Sequence, residues 1–311
     1  MIKPPKLPAF FVSFLICSVI LGVPMALAAL YLGSPPAEVS APEIPDYIPH
    51  RSEDMTVLLV GGQKDQIPSA MMLVRFSPAD GEILLAALPS ETMVEDAGRF
   101  DSAGGVWKRQ GEKRAVAALS KSLTIPIDRY AAVDPELFVT IVDTVGTVEF
   151  TLEEPVTLSD GAVLLRAGRQ LLDGRKIAAM LSSRGIEGGE EARLKLLSRL
   201  AADALNQRLP GLSPAISDTV FKAVANFGQT DLSYADFEVR KQSLRYLQGL
   251  DKPVSVIEIT GDYNSAGNTF LLSPESAQTL IDRFGAKEPA QEEQQTAAPM
   301  ERKTLREIFG F

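Results

Sequence analysis

The feature of this sequence that most constrains its fold is an uncharged apolar stretch near the N-terminus. No charged residue occurs from Leu7 to Ala37, and the run PAFFVSFLICSVILGVPMALAALYLG is almost continuously apolar. Such a run is long enough to cross a bilayer core of about 30 Å as a helix. We therefore expect a transmembrane anchor over residues 9–33, in which Pro24 only kinks the helix.

The charges on either side of this run predict its orientation. Lys3 and Lys6 precede it, and acidic residues follow it. The positive-inside bias then places residues 1–8 in the cytoplasm and the main part of the chain outside. A cleaved signal peptide is the alternative, because Ala26-Leu27-Ala28 fits a small-x-small cleavage site. The apolar run continues past that site, which favours an uncleaved anchor, and the bulk of the protein is exported under either interpretation.

The composition excludes several classes of function. The formal net charge is −9 and the sequence pI is about 4.9, so nucleic acid is not an expected partner. The single cysteine, Cys17, lies in the apolar run, which leaves the exported part without a disulfide framework or a cysteine-based zinc site. The single histidine, His50, lies in a proline-rich stretch and is expected to be solvated rather than catalytic.

The rest of the chain divides by composition into a spacer, a domain and a tail. Residues 34–54 have a proline every few positions and few apolar side chains, which is typical of a stiff spacer. Residues 286–311 begin with a Gln/Glu/Ala-rich segment, which predicts a flexible tail. Between them, residues 55–285 alternate strand-length and helix-length patterns, so we expect one α/β or α+β domain around a central sheet.

The periodicity of apolar residues locates the main elements of this domain. Short apolar or alternating runs predict strands at residues 55–62, 71–78, 82–89, 129–134, 147–156 and 253–260. Helical spacing predicts helices at residues 115–123, 135–146, 169–184, 190–208, 214–226 and 234–248, and a further helix beginning at SPESAQTLI.

The order of these elements, together with the short sequence motifs within them, resembles that of the LytR–CpsA–Psr family. The resemblance is carried by TVLLVGG, SAMMLVRFSPADGEILLAALPSET, IPIDRYAAVDPELFVTIVDTVGTVEF, AGRQLLDGRKIAAML and SSRGIEGGEEARLKLL, which together cover about residues 55–208. Members of this family are membrane-anchored bacterial enzymes that transfer lipid-linked glycopolymers onto peptidoglycan. The resemblance therefore implies a central mixed sheet flanked by helices, preceded by one transmembrane helix in the bacterial cytoplasmic membrane.

Most of the charged residues that the family uses are replaced in this chain. In the family, arginines neutralise a pyrophosphate, while carboxylates hold a divalent cation and activate the acceptor hydroxyl. At the places where aspartates and arginines are expected, this chain has Gln63 and Asp65, Ile67-Pro68-Ser69, Pro89-Ser90-Glu91, Ser182 and Leu196. We therefore expect catalysis to be lost or weakened, and Mg²⁺ to be required only if activity survives.

A few residues retain the chemistry that the resemblance implies. Arg184 and Arg193, with Arg99 where the family tends to be basic, are predicted to bind pyrophosphate, and Glu91 is the remaining candidate for catalysis or for a metal ligand. Each has a structural alternative. The stem of Arg193 shares a helical stripe with apolar residues, and an acid such as Glu190 is favoured at any helix start.

The family also holds the polyprenyl tail of its substrate in an apolar tunnel between the sheet and the helices. By resemblance, the predicted lining of that tunnel is Met71, Met72, Leu84, Phe138, Ile141 and Leu181. Ordinary core packing is the alternative for all of them.

These observations leave three hypotheses for the function. The preferred one is an envelope protein that binds a polyprenyl-phosphate-linked glycopolymer or a peptidoglycan-assembly protein, with lost or weakened catalysis. The first alternative is an active transferase that attaches lipid-linked glycopolymers to peptidoglycan. The second is an interaction module without a lipid ligand, in which residues 212–285 dock other envelope proteins.

Overall fold

A computed structural model of the protein describes residues 47–183, 185–264 and 269–285. The predicted anchor at residues 9–33 and the predicted tail at 286–311 lie outside these ranges. Within them, every helix is too short or too polar to span a membrane.

The described residues form strands and helices in mixed order along the chain. The strands are β1 (Met55–Gly61), β2 (Ala70–Ser77), β3 (Glu82–Leu88), β4 (Met93–Asp96), β5 (Arg99–Ser102), β6 (Arg129–Val133), β7 (Val148–Leu152), β8 (Val156–Thr157), β9 (Val163–Leu165), β10 (Gly168–Leu172), β11 (Gln229–Thr230), β12 (Val254–Val256), β13 (Gly261–Tyr263) and β14 (Phe270–Leu272). The helices are α1 (Ala103–Gln110), α2 (Glu112–Leu123), α3 (Pro135–Val145), α4 (Gly174–Ser182), α5 (Gly189–Arg208), α6 (Pro214–Phe227), α7 (Tyr234–Gln248) and α8 (Pro274–Phe284).

Six strands form one mixed sheet in the order β11-β6-β1-β2-β3-β12. β1 pairs antiparallel with β2 and parallel with β6, and β12 pairs parallel with β3. The turn between β2 and β3 ends at Gly81, whose φ of 71° is a left-handed conformation that glycine adopts readily. The central mixed sheet with flanking helices that the sequence predicted is thereby confirmed.

The two faces of this sheet are covered to different extents. Met71 and Leu73 of β2 are buried in a cluster with Trp107 of α1, Leu119 of α2 and Phe284 of α8. The alternate residues of β2, which point to the opposite face, are only partly buried and pack against a smaller cluster under α5 and α7. One face of the sheet is therefore sealed, and the other is only partly covered.

The segment from residue 169 to 172 was wrongly predicted to be helical. It belongs to β10, which pairs antiparallel with β7, and α4 starts only at Gly174. The helix begins there because the Asp173 side chain accepts a hydrogen bond of 2.9 Å from the Lys176 amide as an N-cap. A short apolar pair such as Leu171-Leu172 fits both periodicities, and pairing with β7 decides between them.

The hairpin of β4 and β5 and the helix α1 are absent from the sequence predictions. The pair Gly104-Gly105 at the start of α1 is unfavourable in a helix, and the hairpin is short. The structure explains Gly104, because a Cβ atom there would lie 2.9 Å from Ile67 Cγ2 and 3.0 Å from the Ser90 carbonyl oxygen.

The last residues of the predicted spacer pack against the domain. Glu53 is buried, and the Asp54 carboxylate lies 3.1 Å from a guanidinium nitrogen of Arg75. Arg75 is itself buried, and it also donates hydrogen bonds to the carbonyls of Phe284 at 2.9 Å and Gly285 at 3.1 Å. Arg75 therefore joins the segment that precedes β1 to the end of α8, and the boundary drawn at residue 55 falls inside the folded unit.

The ion pair between β6 and α7 predicts a pH-dependent stability. Burial of the Asp236 carboxyl opposes its ionisation, but hydrogen bonds from Arg129 and Ser233 outweigh that effect and lower its pKa to about 2. Because the folded-state pKa lies below the unfolded value of about 3.9, the stabilisation is present at neutral pH and is lost as pH falls from about 5 to 2.

We expect Asp236→Asn to lower the free energy of unfolding at pH 7 by about 1–2 kcal/mol. This is less than the full lowering of the pKa would give, because Arg129 is 38% exposed and solvent screens the ion pair. Urea denaturation at a series of pH values measures this difference, which should vanish near pH 2. Asp251→Asn, at an exposed carboxylate, is the control. A difference that persists unchanged at acidic pH would contradict the assignment of the effect to this ion pair.

Candidate functional site

A cleft lies where β1 and β6 end. These two strands are parallel, so their carboxyl ends meet at one edge of the sheet, a common position for ligand sites in open sheets. The cleft is small, with a cavity volume of about 20 Å³, and its lining is mainly apolar. It is lined by Gly61, Gly62, Ser69, Val133, Asp134, Pro135, Phe138, Ala178, Leu181 and Ser182.

Backbone hydrogen bonds fix one wall of the cleft. The Gly62 amide donates to the Val133 carbonyl at 3.1 Å, which holds the ends of β1 and β6 together. The Ser69 amide and hydroxyl both donate to the Gly61 carbonyl, at 2.8 and 3.0 Å, so the loop between β1 and β2 returns to its starting point. The Asp134 carboxylate accepts a hydrogen bond of 2.8 Å from the Leu137 amide and caps α3, whose first turn forms the next wall.

Apolar side chains that are only partly covered lie next to the cleft on one face of the sheet. Leu59 lies two residues before Gly61 on β1, so its side chain points to the same face. Leu59 is 42% exposed although β1 is an inner strand of the sheet. Its cross-strand neighbour Met72 and the next residue on that face, Val74, are also only partly buried. Leu59, Met72 and Val74 therefore give this face a strip of incompletely covered apolar surface next to the cleft, although Met72 and Val74 also pack against the cluster under α5 and α7. We call this strip the groove.

The six residues predicted to line a tunnel are divided among different parts of the structure. Met71 and Leu84 lie in the sealed cluster on the opposite face, where they pack in the core. Met72 lies on the floor of the groove, and Phe138 and Leu181 line the cleft. Ile141 is partly buried on α3 and is not among the lining residues. The six cannot line one cavity, because successive residues of a strand such as Met71 and Met72 face opposite ways.

Arg193 is buried, with 2% of its surface exposed. Its Nε and one terminal nitrogen donate to the two carboxylate oxygens of Glu190, at 2.7 and 2.5 Å. The other terminal nitrogen donates to the Leu181 carbonyl at 3.3 Å, at the end of α4. Three of the five guanidinium donors are therefore engaged within the protein, and Glu190 neutralises the charge.

The loop after β3 carries Ser90 at the position where the resemblance implies an arginine. Ser90 is 2% exposed, and its hydroxyl donates a hydrogen bond of 2.5 Å to the Pro68 carbonyl. The Gly104 amide donates to the Ser90 carbonyl at 2.7 Å. These bonds join the loop after β1, the loop after β3 and the start of α1, and they hold the small side chain at position 90 in a buried position.

The remaining predicted residues are scattered. Ser182, at the position where the resemblance implies a lost arginine, lines the cleft. Arg184 lies outside the described residues. Arg99 is exposed beside the turn between β4 and β5 and is not among the residues that line the cleft. Glu91 is partly buried, and its backbone carbonyl accepts a hydrogen bond of 2.7 Å from the Phe270 amide.

The described carboxylates do not fit a magnesium site by themselves. Within residues 47–183, 185–264 and 269–285, no three His, Cys, Asp or Glu side chains lie close enough together to hold a metal ion. In the cleft the carboxylate among the lining residues is Asp134, and one of its oxygens is engaged as the N-cap of α3. The role of Glu91 in binding Mg²⁺ stays a prediction.

Two residues of this site were missed from the sequence, for different reasons. Asp134 was recognisable, because an Asp before Pro-Glu at a helix start is a typical N-cap signal. Leu59 was not, because nothing in the run TVLLVGG separates a fully buried leucine such as Leu58 from a half-exposed one.

The fold and cleft define a mixed α+β domain with a site at the carboxyl ends of parallel strands. The chain belongs to the LytR_cpsA_psr family, whose sequence profile matches residues 38–283. This confirms the family resemblance drawn from the sequence and makes the chain a relative of cell-envelope transferases.

Individual relatives are distant. The polyisoprenyl-teichoic acid–peptidoglycan teichoic acid transferase TagU of Bacillus cereus is 29% identical over 107 residues, which span 32% of this chain and 35% of that relative. A solved structure from Eubacterium siraeum is 18% identical, with a TM-score of 0.67 over 80% of this chain and 98% of that one. A LytR-Csp2A-Psr enzyme from Actinomyces oris is 20% identical, with a TM-score of 0.60 over 75% of this chain and 90% of that one. The two structures show the shared fold.

Proposed function

We propose that this chain is an envelope protein of the bacterial cytoplasmic membrane that binds a polyprenyl-phosphate-linked glycopolymer, with lost or weakened catalysis. Residues 9–33 anchor it as a single span, with the N-terminus inside and the folded domain outside. Peptidoglycan-assembly proteins are its expected protein partners. Family membership and the printed name of the Bacillus cereus relative, which concerns polyisoprenyl-linked teichoic acid and peptidoglycan, support this assignment.

The observation that carries the proposal is the apolar groove that lies next to the cleft. Leu59 is 42% exposed on an inner strand, with the partly buried Met72 and Val74 beside it. Covering apolar surface contributes roughly 25 cal/mol per Å², so an isoprenoid chain lying on these side chains gains affinity without polar contacts. The phosphate end of the lipid then reaches the cleft, where Gly61, Gly62 and Ser182 allow close approach.

The small amount of arginine charge available in the cleft supports weakened catalysis. Transfer of a phosphoryl group requires positive charge that stabilises the developing negative charge, and each missing donor costs about 2.7–4 kcal/mol of transition-state stabilisation in comparable sites. Here Arg193 is neutralised by Glu190, and Ser90 and Ser182 stand where the resemblance implies arginines. The site keeps a place for the lipid while losing most of its charge.

Mass spectrometry of lipids that co-purify with the full chain in detergent tests the binding. We expect polyprenyl phosphate or a polyprenyl-linked saccharide in roughly stoichiometric amount, because a preformed apolar groove retains such a lipid through purification. The absence of any polyprenyl lipid would contradict the proposal and favour a protein–protein role in envelope assembly.

The catalytic part is tested separately with the same preparation. Incubation of the loaded protein with Mg²⁺ and a peptidoglycan acceptor should release little polyprenyl phosphate above the rate without protein. Efficient release that disappears in Arg193→Ala would establish the active transferase instead.

A further inference from the structure

A short hairpin formed by β8 and β9 holds the loop that leads into α5. The tip of the hairpin is closed by two hydrogen bonds of 2.8 Å, from the Gly161 amide to the Leu158 carbonyl and from the Leu158 amide to the Ala162 carbonyl. Leu158 also forms a β-bridge with Ile186, which is buried. Residues 185–188 therefore lie against the hairpin as a third segment of chain.

Hydrogen bonds on both sides of this bridge join the hairpin to the loop. The Ser159 amide and hydroxyl both donate to the Gly185 carbonyl, at 2.7 and 2.8 Å. The Glu187 amide donates to the Thr157 carbonyl at 2.9 Å. The Thr157 hydroxyl donates to the Glu187 carboxylate at 2.5 Å. The hairpin thus holds the loop by backbone and by side-chain hydrogen bonds.

The composition of the loop makes these bonds necessary. Gly185 and Gly188 have φ of 78° and 89°, which are left-handed conformations that glycine adopts without steric cost. Glycine also loses more conformational freedom on folding than any other residue. Hydrogen bonds from outside the loop therefore select one of the many conformations that its glycines allow.

The hairpin is itself attached to the apolar wall of the cleft. Leu164 and Leu165 follow one another on β9, and both pack in the cluster that contains Phe138 and Leu181. Successive residues of a regular strand face opposite ways, but the pairing of β8 with β9 shifts register after Val156, and such an irregularity allows both leucines to face the cluster. Because Phe138 and Leu181 line the cleft, the hairpin and the cleft share one apolar cluster.

The loop is also joined to the cleft through the start of α5. The Gly189 amide donates to the Ile186 carbonyl at 2.9 Å, which fixes the entry into α5. Arg193, in the next turn of that helix, donates to the Leu181 carbonyl at 3.3 Å. A displacement of the loop therefore moves the start of α5 and, through Arg193, the end of α4 at the edge of the cleft.

We propose that Thr157 and Ser159 are positioning residues, which hold the cleft edge formed by Leu181 and Ser182 in the conformation that accepts the phosphate end of the lipid. This inference rests on the proposed function and identifies residues that act on the same site from outside it. Neither Thr157 nor Ser159 is among the residues that line the cleft. Thr157 is partly buried and Ser159 is exposed, so removing their hydroxyls leaves the core unchanged.

A positioning role affects the two ends of a prenyl lipid differently. A phosphate is bound by polar groups that must be held in one geometry, whereas an isoprenoid chain gains affinity from buried apolar area without a fixed direction. Loosening the cleft edge should therefore weaken the binding of a prenyl phosphate and leave the binding of the corresponding alcohol unchanged.

The test variant is Thr157→Val/Ser159→Ala in the full chain in detergent. Its affinities for geranylgeranyl phosphate and for geranylgeraniol are measured, together with the amide hydrogen exchange of residues 185–189. We expect the affinity for the phosphate to fall roughly fivefold and that for the alcohol to change by less than about twofold. Exchange in residues 185–189 should become roughly tenfold faster, because the loop opens more often.

Two further variants control for the change of hydroxyl groups. Thr157→Ser/Ser159→Thr keeps both donors and should behave as the wild type. Ser217→Ala/Thr219→Val makes the same kinds of change on α6, where both hydroxyls donate to carbonyls of their own helix. This variant should alter neither the binding of the two probes nor the exchange of residues 185–189.

Three results would overturn the inference. They are unchanged exchange of residues 185–189 in the test variant, an equal loss of affinity for the phosphate and the alcohol, and failure of Thr157→Ser/Ser159→Thr to keep the wild-type discrimination between the two probes. A wild-type protein that binds neither probe would refute the proposed function. If the wild type binds both probes and the test variant discriminates between them equally well, the proposed function stands and this inference alone fails.

Discussion

Leu58→Ala is expected to lower the free energy of unfolding by about 3 kcal/mol, and Leu59→Ala by about 1 kcal/mol or less. The two leucines are neighbours on β1, but Leu58 is 0% exposed in the sealed cluster and Leu59 is 42% exposed on the groove floor. Truncating Leu58 leaves a cavity in a closed core, whereas truncating Leu59 only widens an open groove. Urea denaturation of both variants measures the difference.

The same position provides a direct test of lipid binding. Leu59→Trp adds bulk to the groove floor, so the variant should lose most co-purifying polyprenyl lipid while unfolding at nearly the wild-type urea concentration. Leu271→Trp is the control, because Leu271 is 54% exposed on β14, outside the groove. Wild-type lipid content in Leu59→Trp would show that the groove is not the lipid site. Equal stability of Leu58→Ala and Leu59→Ala would contradict the description of the two faces.

Glu190→Gln is expected to destabilise the domain by about 2–4 kcal/mol, because it leaves the charge of the buried Arg193 without a counter-ion. The Arg193 side chain is 3% exposed and that of Glu190 is 20% exposed, so water compensates only part of the loss. Replacing both residues, as in Glu190→Gln/Arg193→Met, removes the charge with its partner and should recover most of the stability. Thermal or urea denaturation of Glu190→Gln, of Arg193→Met and of the double variant completes a double-mutant cycle.

The cycle also distinguishes a structural arginine from one that binds ligand. A structural Arg193 gives a coupling energy of at least about 1 kcal/mol between the two residues and little change in lipid content once stability is restored. If Glu190→Gln is as stable as the wild type and Arg193→Met loses the lipid, then Arg193 binds the ligand and its ion pair with Glu190 contributes little to stability.

The sequence predicts an element of this fold well when the residues that signal the element lie within it or at its ends. β1, β2 and β3 were predicted within a residue or two, because their apolar runs end at glycine or proline turns. α3 was predicted because Pro135 and Gly146 mark its ends. β10 was assigned to a helix because its strand conformation depends on β7, a partner that lies about twenty residues away along the chain.

The candidate site was predictable only in its approximate location. The resemblance placed Ser182 at the site, and the structure finds it lining the cleft. It also placed Arg193 there as a pyrophosphate ligand, and the structure engages that side chain with Glu190 and the end of α4. Exposure and partnership are set by residues distant in sequence, so no local pattern reveals whether an arginine is available.

The sequence by itself determined the family and the mixed sheet, because both follow from residue identity, residue order and short-range spacing. The tertiary structure alone decided which face of the sheet is open and which cations have partners. Those properties depend on how much of each side chain the distant helices cover. Leu58 and Leu59 are the same residue type on the same strand, and only the packing above and below the sheet makes one a core residue and the other the floor of a groove.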